Sequence, residues 1–117
     1  MFYIMVQMTP ASISLGEFEL AVLVSVTTID DAYGASIRRE VSRRLDRDCT
    51  VGAVYTTLQR LEDKQLVTSW TSEPTPVRGG RARRCYKTTA IGARALREAR
   101  ATRQRLWEGV RTVRGTA

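Results

Sequence analysis

"DRDCTVGAVYTTLQRLEDKQ", residues 46–65, holds a five-residue break and then a helix whose two sides are unlike. Val51, Val54, Leu58 and Leu61 are spaced 3, 4 and 3 apart, which puts them on one side of a helix and marks that side as core. At about 100° per residue the opposite side carries Gly52, Ala53, Thr56 and Arg60, with Tyr55 and Thr57 on its borders. An ordinary solvated face carries more Glu and Lys; this one is small and polar early, with a cation later. Asp48 or Thr50 can cap its start.

Upstream, "AYGASIRREVSRRL" (32–45) places Ile37, Val41 and Leu45 at i, i+4 and i+8, with Arg38, Arg39, Ser42 and Arg43 facing away. It reads as a basic amphipathic helix from about Tyr33 to Leu45, capped by Asp30 or Asp31. Two helices around so short a break suggest a helix-turn-helix, whose second member lies in the DNA major groove. Small residues let a backbone approach the duplex, and Thr56, Thr57 and Arg60 supply donors for phosphates or base edges. Arg60 suits a bidentate pair with guanine, a phosphate or an ion pair with Asp63.

Further upstream, "SLGEFELAVLVSVTTI" (14–29) opens with Ser14 and Glu17 in capping-box spacing. Leu15, Phe18, Val22, Val26 and Ile29 form a stripe that Ala21, Leu23 and Val24 widen, as expected of a central core helix. Residues 1–13, "MFYIMVQMTPASI", lack the basic region and cleavage site of a secretory signal and are read as an N-terminal arm.

Downstream, "LVTSWTS" (66–72) and "RRCYKTT" (83–89) are β-branched and aromatic and flank the Pro- and Gly-bearing "EPTPVRGGRA". They predict a hairpin with a long tip, which beside a helix-turn-helix is a wing. Arg78, Arg81, Arg83 and Arg84 then bring charge to the flanking DNA backbone or minor groove, and Gly79 and Gly80 permit close approach to phosphates.

The last segment, from Ala90 to about Val113, is expected to be one long helix capped by Thr88 or Thr89. Gly92, Leu96, Ala99, Arg103, Leu106, Val110 and Val113 recur at heptad spacing, with Arg103 as a charged member. A single small core has little room to cover more than 20 helical residues, so a homodimer is expected, with Trp107 also in or beside the contact. The expected fold class is mainly α with a small β-hairpin. Residues 14–89 form a winged helix-turn-helix DNA-binding domain and residues 90–117 a dimerisation helix and tail.

Composition agrees. The 117 residues suit one domain, with 43% hydrophobic and 26% charged residues. A net charge of +7 favours polyanions, nucleic acid first. "LAVLVSV" (20–26) is far short of the roughly 18 residues that span a bilayer. Cys49 and Cys85 lack metal-ligand spacing and suit a reducing cytoplasm; no metal or cofactor is expected. The chain has no histidine and its carboxylates are scattered among cations, which argues against an enzyme. Two rival readings are a thiol sensor acting through Cys49 and Cys85, and an interaction module docking through the last helix.

Together "LGEFELAVL" (15–23), "AYGASIRREV" (32–41), "TVGAVYTTLQRLEDKQLV" (50–67) and "RGGRARRCYKTTAIGARAL" (78–96) resemble the PadR family of bacterial transcriptional regulators, in its short form with one C-terminal helix. The resemblance implies a dimeric winged helix-turn-helix protein, usually a repressor, whose grip on DNA a small-molecule effector can alter. It places Tyr33, Gly52, Tyr55 and the wing arginines Arg78, Arg81 and Arg83 where members meet double-stranded DNA; with Thr50, Ala53, Thr56, Thr57, Arg60, Gly79 and Gly80, read from the helix face, cap and wing, they make up the expected DNA-binding set. Some short members hold flat aromatic drugs at the dimer interface, partly with a Trp of the last helix; Trp107 falls about one turn later. Gln65 stands where a C-capping glycine is common.

Overall fold

The computed structural model describes residues 14–73 and 82–111. Three helices come first, α1 (Glu17–Thr28), α2 (Gly34–Leu45) and α3 (Val51–Asp63), then strands β1 (Val67–Thr71) and β2 (Arg84–Thr88), and last α4 (Ala90–Trp107). The strands pair antiparallel from Val67 opposite Thr88 to Thr71 opposite Arg84, and Ser72 and Arg83 continue the pairing one step.

One core joins every element. Val22, Leu23 and Val26 of α1 pack with Ile37 and Val41 of α2, with Val54, Leu58 and Leu61 of α3, and with Leu66, Val67, Tyr86 and Ala95. Burying each large aliphatic side chain contributes about 1.5–3 kcal/mol, so the stripes predicted for the three helices hold them together. α1 is buried over most of its circumference, and its buried Ser25 donates its hydroxyl to the Ala21 carbonyl at 2.8 Å.

Three expectations about the helix ends need correction. The first cap is Gly16, not Ser14: Glu19, not Glu17, accepts the Gly16 N–H, at 3.1 Å. Glu19 is also 3.0 Å from Lys64 Nζ at the end of α3, so its place is set by that distant partner. Neither Asp30 nor Asp31 caps α2. That role falls to Tyr33, whose N–H donates to Ser36 Oγ at 3.0 Å, because residues 32 and 33 are drawn into an extended pairing with β2: the Tyr86 N–H donates to the Ala32 carbonyl at 2.9 Å. The last helix stops at Trp107, short of Val113. Glu108 leaves helical geometry and Gly109 follows with φ 78°, a left-handed turn that glycine adopts freely. Thr50 does cap α3, accepting the Ala53 N–H at 3.1 Å.

The end of α3 is a Schellman turn: Leu66 N–H donates to Leu61 O and Gln65 N–H to Glu62 O, each at 2.9 Å. Gln65 sits there at φ 66°, the left-handed region in which glycine costs nothing. Thr89 donates its N–H to the Leu66 carbonyl at 3.0 Å and its hydroxyl to the Gln65 carbonyl at 2.7 Å, which pins the start of α4 to this turn. Gly92 lies so close to the Leu66 carbonyl that a Cβ has no room.

Gln65→Gly is expected to raise stability by about 0.5–1 kcal/mol, a gain of roughly 4 °C in melting temperature. Gly92→Ala should lower it by about 1–3 kcal/mol through forced overlap. Calorimetry of both variants checks these signs. Burial raises the pKa of Glu19, but hydrogen bonds from Lys64 and Gly16 and the charges of Lys64 and Arg60 outweigh it and hold the carboxyl below its ordinary 4.5. Its contribution to stability is therefore complete above pH 4.5 and lost as the pH falls through the lower folded-state value. The stability difference between wild type and Glu19→Gln, measured by denaturant titration at several pH values, should be constant near neutrality and shrink in acid.

Candidate nucleic-acid interface

α2 and α3, joined through Asp46–Thr50, form the helix-turn-helix. α3 turns Val54, Leu58 and Leu61 into the core, so its far side is left bare. Gly52, Ala53, Thr56 and Arg60 are exposed there, as their spacing predicts. Two residues of that helix depart from expectation. Val51, assigned to the core, is 41% exposed: it is the first residue of α3 and lies outside the buried cluster. Thr57, assigned to DNA, is only 4% exposed: the core wraps far enough around α3 to cover its border position. Thr50 is exposed, with its hydroxyl holding the Ala53 N–H.

Tyr55 is 43% exposed and lies against Gly34 at the first turn of α2, where a Cβ would overlap its hydroxyl and ring. Glycine at that position therefore lets α3 seat a large side chain on the neighbouring helix. Arg60 is not paired with Asp63, which accepts instead from Gln59 Nε2 at 3.0 Å. Eight residues beyond Gly52, Arg60 is about 12 Å along the axis and within electrostatic reach of Glu19.

The hairpin stands beside this face. Arg78, Gly79, Gly80 and Arg81 lie outside the described residues. Arg83 and Arg84, at the root, are half-exposed and each faces a carboxylate. Arg83 lies 3.6 Å from Asp31 and sits over the Tyr33 ring, 4.1 Å from its centroid. Arg84 lies 3.7 Å from Glu62 of α3, whose carboxylate also accepts the Ser69 hydroxyl at 2.7 Å. Asp31, expected only as a cap of α2, and Glu62 carry no local signal of this role, since nothing nearby in the chain marks a carboxylate that meets an arginine more than 20 residues away. Burial pushes the Tyr86 phenol above its ordinary 10.0 although Arg84 opposes the shift.

On α2, Glu40 takes Arg43 and Arg44 at 2.7 Å each. These hydrogen bonds, Arg43's first, hold the Glu40 carboxyl below its usual range. Cys49 stands 3.4 Å from Ser42 Oγ and points its thiol at the Arg38 carbonyl; Cys85 is buried with its thiol directed at the Arg83 carbonyl. Among the described residues no three His, Cys, Asp or Glu side chains cluster as a metal site, and no helix is long and apolar enough to cross a membrane.

The expected seam on α4 divides in two. Gly92 is buried within the chain's own fold, and Leu96 and Ala99 are partly covered by it. Beyond them Arg103 is exposed, Leu106 and Trp107 are 72% and 67% exposed, and Val110, half-exposed, falls past the helix end. Between α1 and α4 lies an open apolar cavity of about 550 Å³ lined by Leu20, Val24, Leu96, Arg100, Arg103, Gln104 and Trp107.

Comparisons with known proteins agree with this architecture. The family model described as the transcriptional regulator PadR-like family matches residues 22–98. A PadR-like transcription factor from Bacteroides fragilis superposes with a TM-score of 0.67 at 24% identity, covering 89% of this chain and 91% of that one. A PadR family regulator from Eggerthella lenta gives 0.64 at 26% identity over 79% and 76% of the two chains. The Bacillus subtilis PadR, solved in complex with operator DNA, gives 0.60 at 17% identity over 74% of this chain and 48% of its own. No curated protein sequence matches.

Gly34→Ala drives a methyl group into Tyr55. It is expected to cost about 1–3 kcal/mol in denaturant unfolding, and Tyr55→Ala in the same chain should recover part of that loss.

Proposed function

This chain belongs to the transcriptional regulator PadR-like family, and on that premise we propose that it is a repressor that binds a pseudo-palindromic operator as a homodimer and is released by a small-molecule effector. The observation that carries the proposal is the bare, low-profile face of α3. Gly52, Ala53 and Thr56 are exposed where an amphipathic helix with no partner would carry longer charged side chains. Set into the major groove, that face brings the backbone close to base edges, with Thr56 as a donor and Arg60 at the margin for a phosphate. Arg78 and Arg81 of the wing supply further charge, and the net charge of +7 steers the protein to a polyanion.

The dimer rests on the far half of α4. Leu106, Trp107 and Val110 form an exposed apolar group beside the cavity against α1, and a second copy would remove this surface from water. Two-fold symmetry then sets two α3 helices on half-sites about one helical turn apart. The effector would enter the cavity between α1 and α4. Trp107 and Leu96 offer apolar contact there, and Arg100 and Arg103 suit an acidic group on a flat ring.

Light scattering at micromolar concentration should give twice the chain mass for wild type and the chain mass for Leu106→Glu. Hydroxyl-radical footprinting on a duplex selected from a random pool should show two protected patches about 10 base pairs apart. A wild-type monomer, or one undivided footprint, would contradict the dimeric reading.

A further inference from the structure

The two arginines at the foot of the wing, Arg84 opening β2 and Arg83 just before it, reach different carboxylates, one just ahead of α2 and one on α3. Arg83 meets Asp31, just before α2, and lies over the ring of Tyr33, the residue that caps α2. Arg84 meets Glu62 on α3, and Ser69 of the opposite strand bonds the same carboxylate. Between the two, the backbone of residues 32 and 33 pairs with β2 through the Tyr86 N–H and Ala32 carbonyl. The hairpin is thus held from one side by the start of α2 and from the other by α3.

We infer that Asp31 and Glu62 are positioning residues for DNA binding. With Arg83 and Arg84 they form a two-sided clasp that sets the angle between wing and recognition helix, so these two arginines act within the protein. This inference rests on the DNA-binding reading above. It assigns Arg83 a different task from the phosphate contact expected from sequence. A guanidinium stacked on one ring and facing one carboxylate has its planar face and one edge engaged, and turning it toward a phosphate would break both contacts. Each contact is modest alone, since Arg83, Asp31 and Arg84 are half-exposed or more. Their combined effect is geometric: wing and α3 must meet one duplex together, and a small change in their angle removes one of them from its groove.

The inference has a sign that simple electrostatics does not share. Asp31 is an exposed negative charge beside a surface that receives a polyanion, so removing it should strengthen binding if charge is all that matters. If it positions the wing, removal weakens binding.

The test uses wild type, Asp31→Ala, Asp31→Asn, Arg83→Ala and the Asp31→Ala/Arg83→Ala double variant, all on the full chain. Each is titrated with a duplex selected by the wild-type protein and with random duplex across a salt series, with melting temperatures in parallel. In the free protein, hydrogen exchange is read at the Tyr86 amide. Asp31→Ala and Asp31→Asn are expected to bind the selected duplex roughly fivefold more weakly and random duplex nearly as wild type does. The double variant should be no weaker than Arg83→Ala, whose salt slope should match wild type, and the Tyr86 amide should exchange faster in every variant. Tighter or unchanged binding by both Asp31 variants overturns the inference. So does an Arg83→Ala slope reduced by about one, the mark of a lost phosphate contact, or a Tyr86 amide whose exchange does not change. Because exchange is measured without DNA, a wild type that selects no duplex would refute the regulator reading and leave exchange alone to decide the clasp.

Discussion

The carbonyl of Leu66 is the point on which the rest of the structure depends. It lies in the turn between α3 and β1, accepts the Thr89 N–H at 3.0 Å, and is covered by Gly92, where no side chain fits. The amide of the same residue closes the Schellman turn on Leu61, and its side chain is fully buried. One residue therefore fixes the end of α3, the start of the hairpin and the start of α4. Thr89 strengthens the joint by giving its hydroxyl to Gln65 while accepting the Gly92 N–H. A buried carbonyl left unbonded would cost about 1–3 kcal/mol, so alternative arrangements of α4 are penalised.

That joint determines what remains outside. With α3 fixed against α1 and α2 by Val54, Leu58 and Leu61, the side bearing Gly52, Ala53 and Thr56 has no intramolecular use. With the first half of α4 fixed against α1 and β2, its second half runs past the core and leaves Leu106 and Trp107 exposed. The two surfaces point to different partners, one polar and shaped for close approach, the other apolar and aromatic. The chain's own packing separates the face proposed to meet DNA from the face proposed to meet a second copy.

Much of this was legible because it is periodic. The alternation of Val54, Leu58 and Leu61 with small residues predicts both faces of α3, and the β-branched runs around a Pro- and Gly-bearing tip predict the hairpin. Failures occurred where a distant partner decided a local choice. Ser14 and Glu17 have capping-box spacing, but Glu19 is held by Lys64, 45 residues away, and the helix starts to suit it. Asp31 looked like a cap and instead faces Arg83, 52 positions later, because residues 32 and 33 are claimed by β2. Thr57 looked like a surface donor because its angle on the helix is a border value, and how far a core wraps is set by neighbouring elements. The length of α4 was overestimated because a heptad pattern can continue past a point where Glu108 and Gly109 turn the backbone.

The most direct test of the account is the ratio of affinities of the wild-type protein for a selected duplex and for random duplex at near-physiological salt. The bare face of α3 predicts a ratio of at least about a thousand, the range in which base edges are being read. Equal affinities would mean that the protein holds only phosphates, and the reading of α3 as a recognition helix would be wrong.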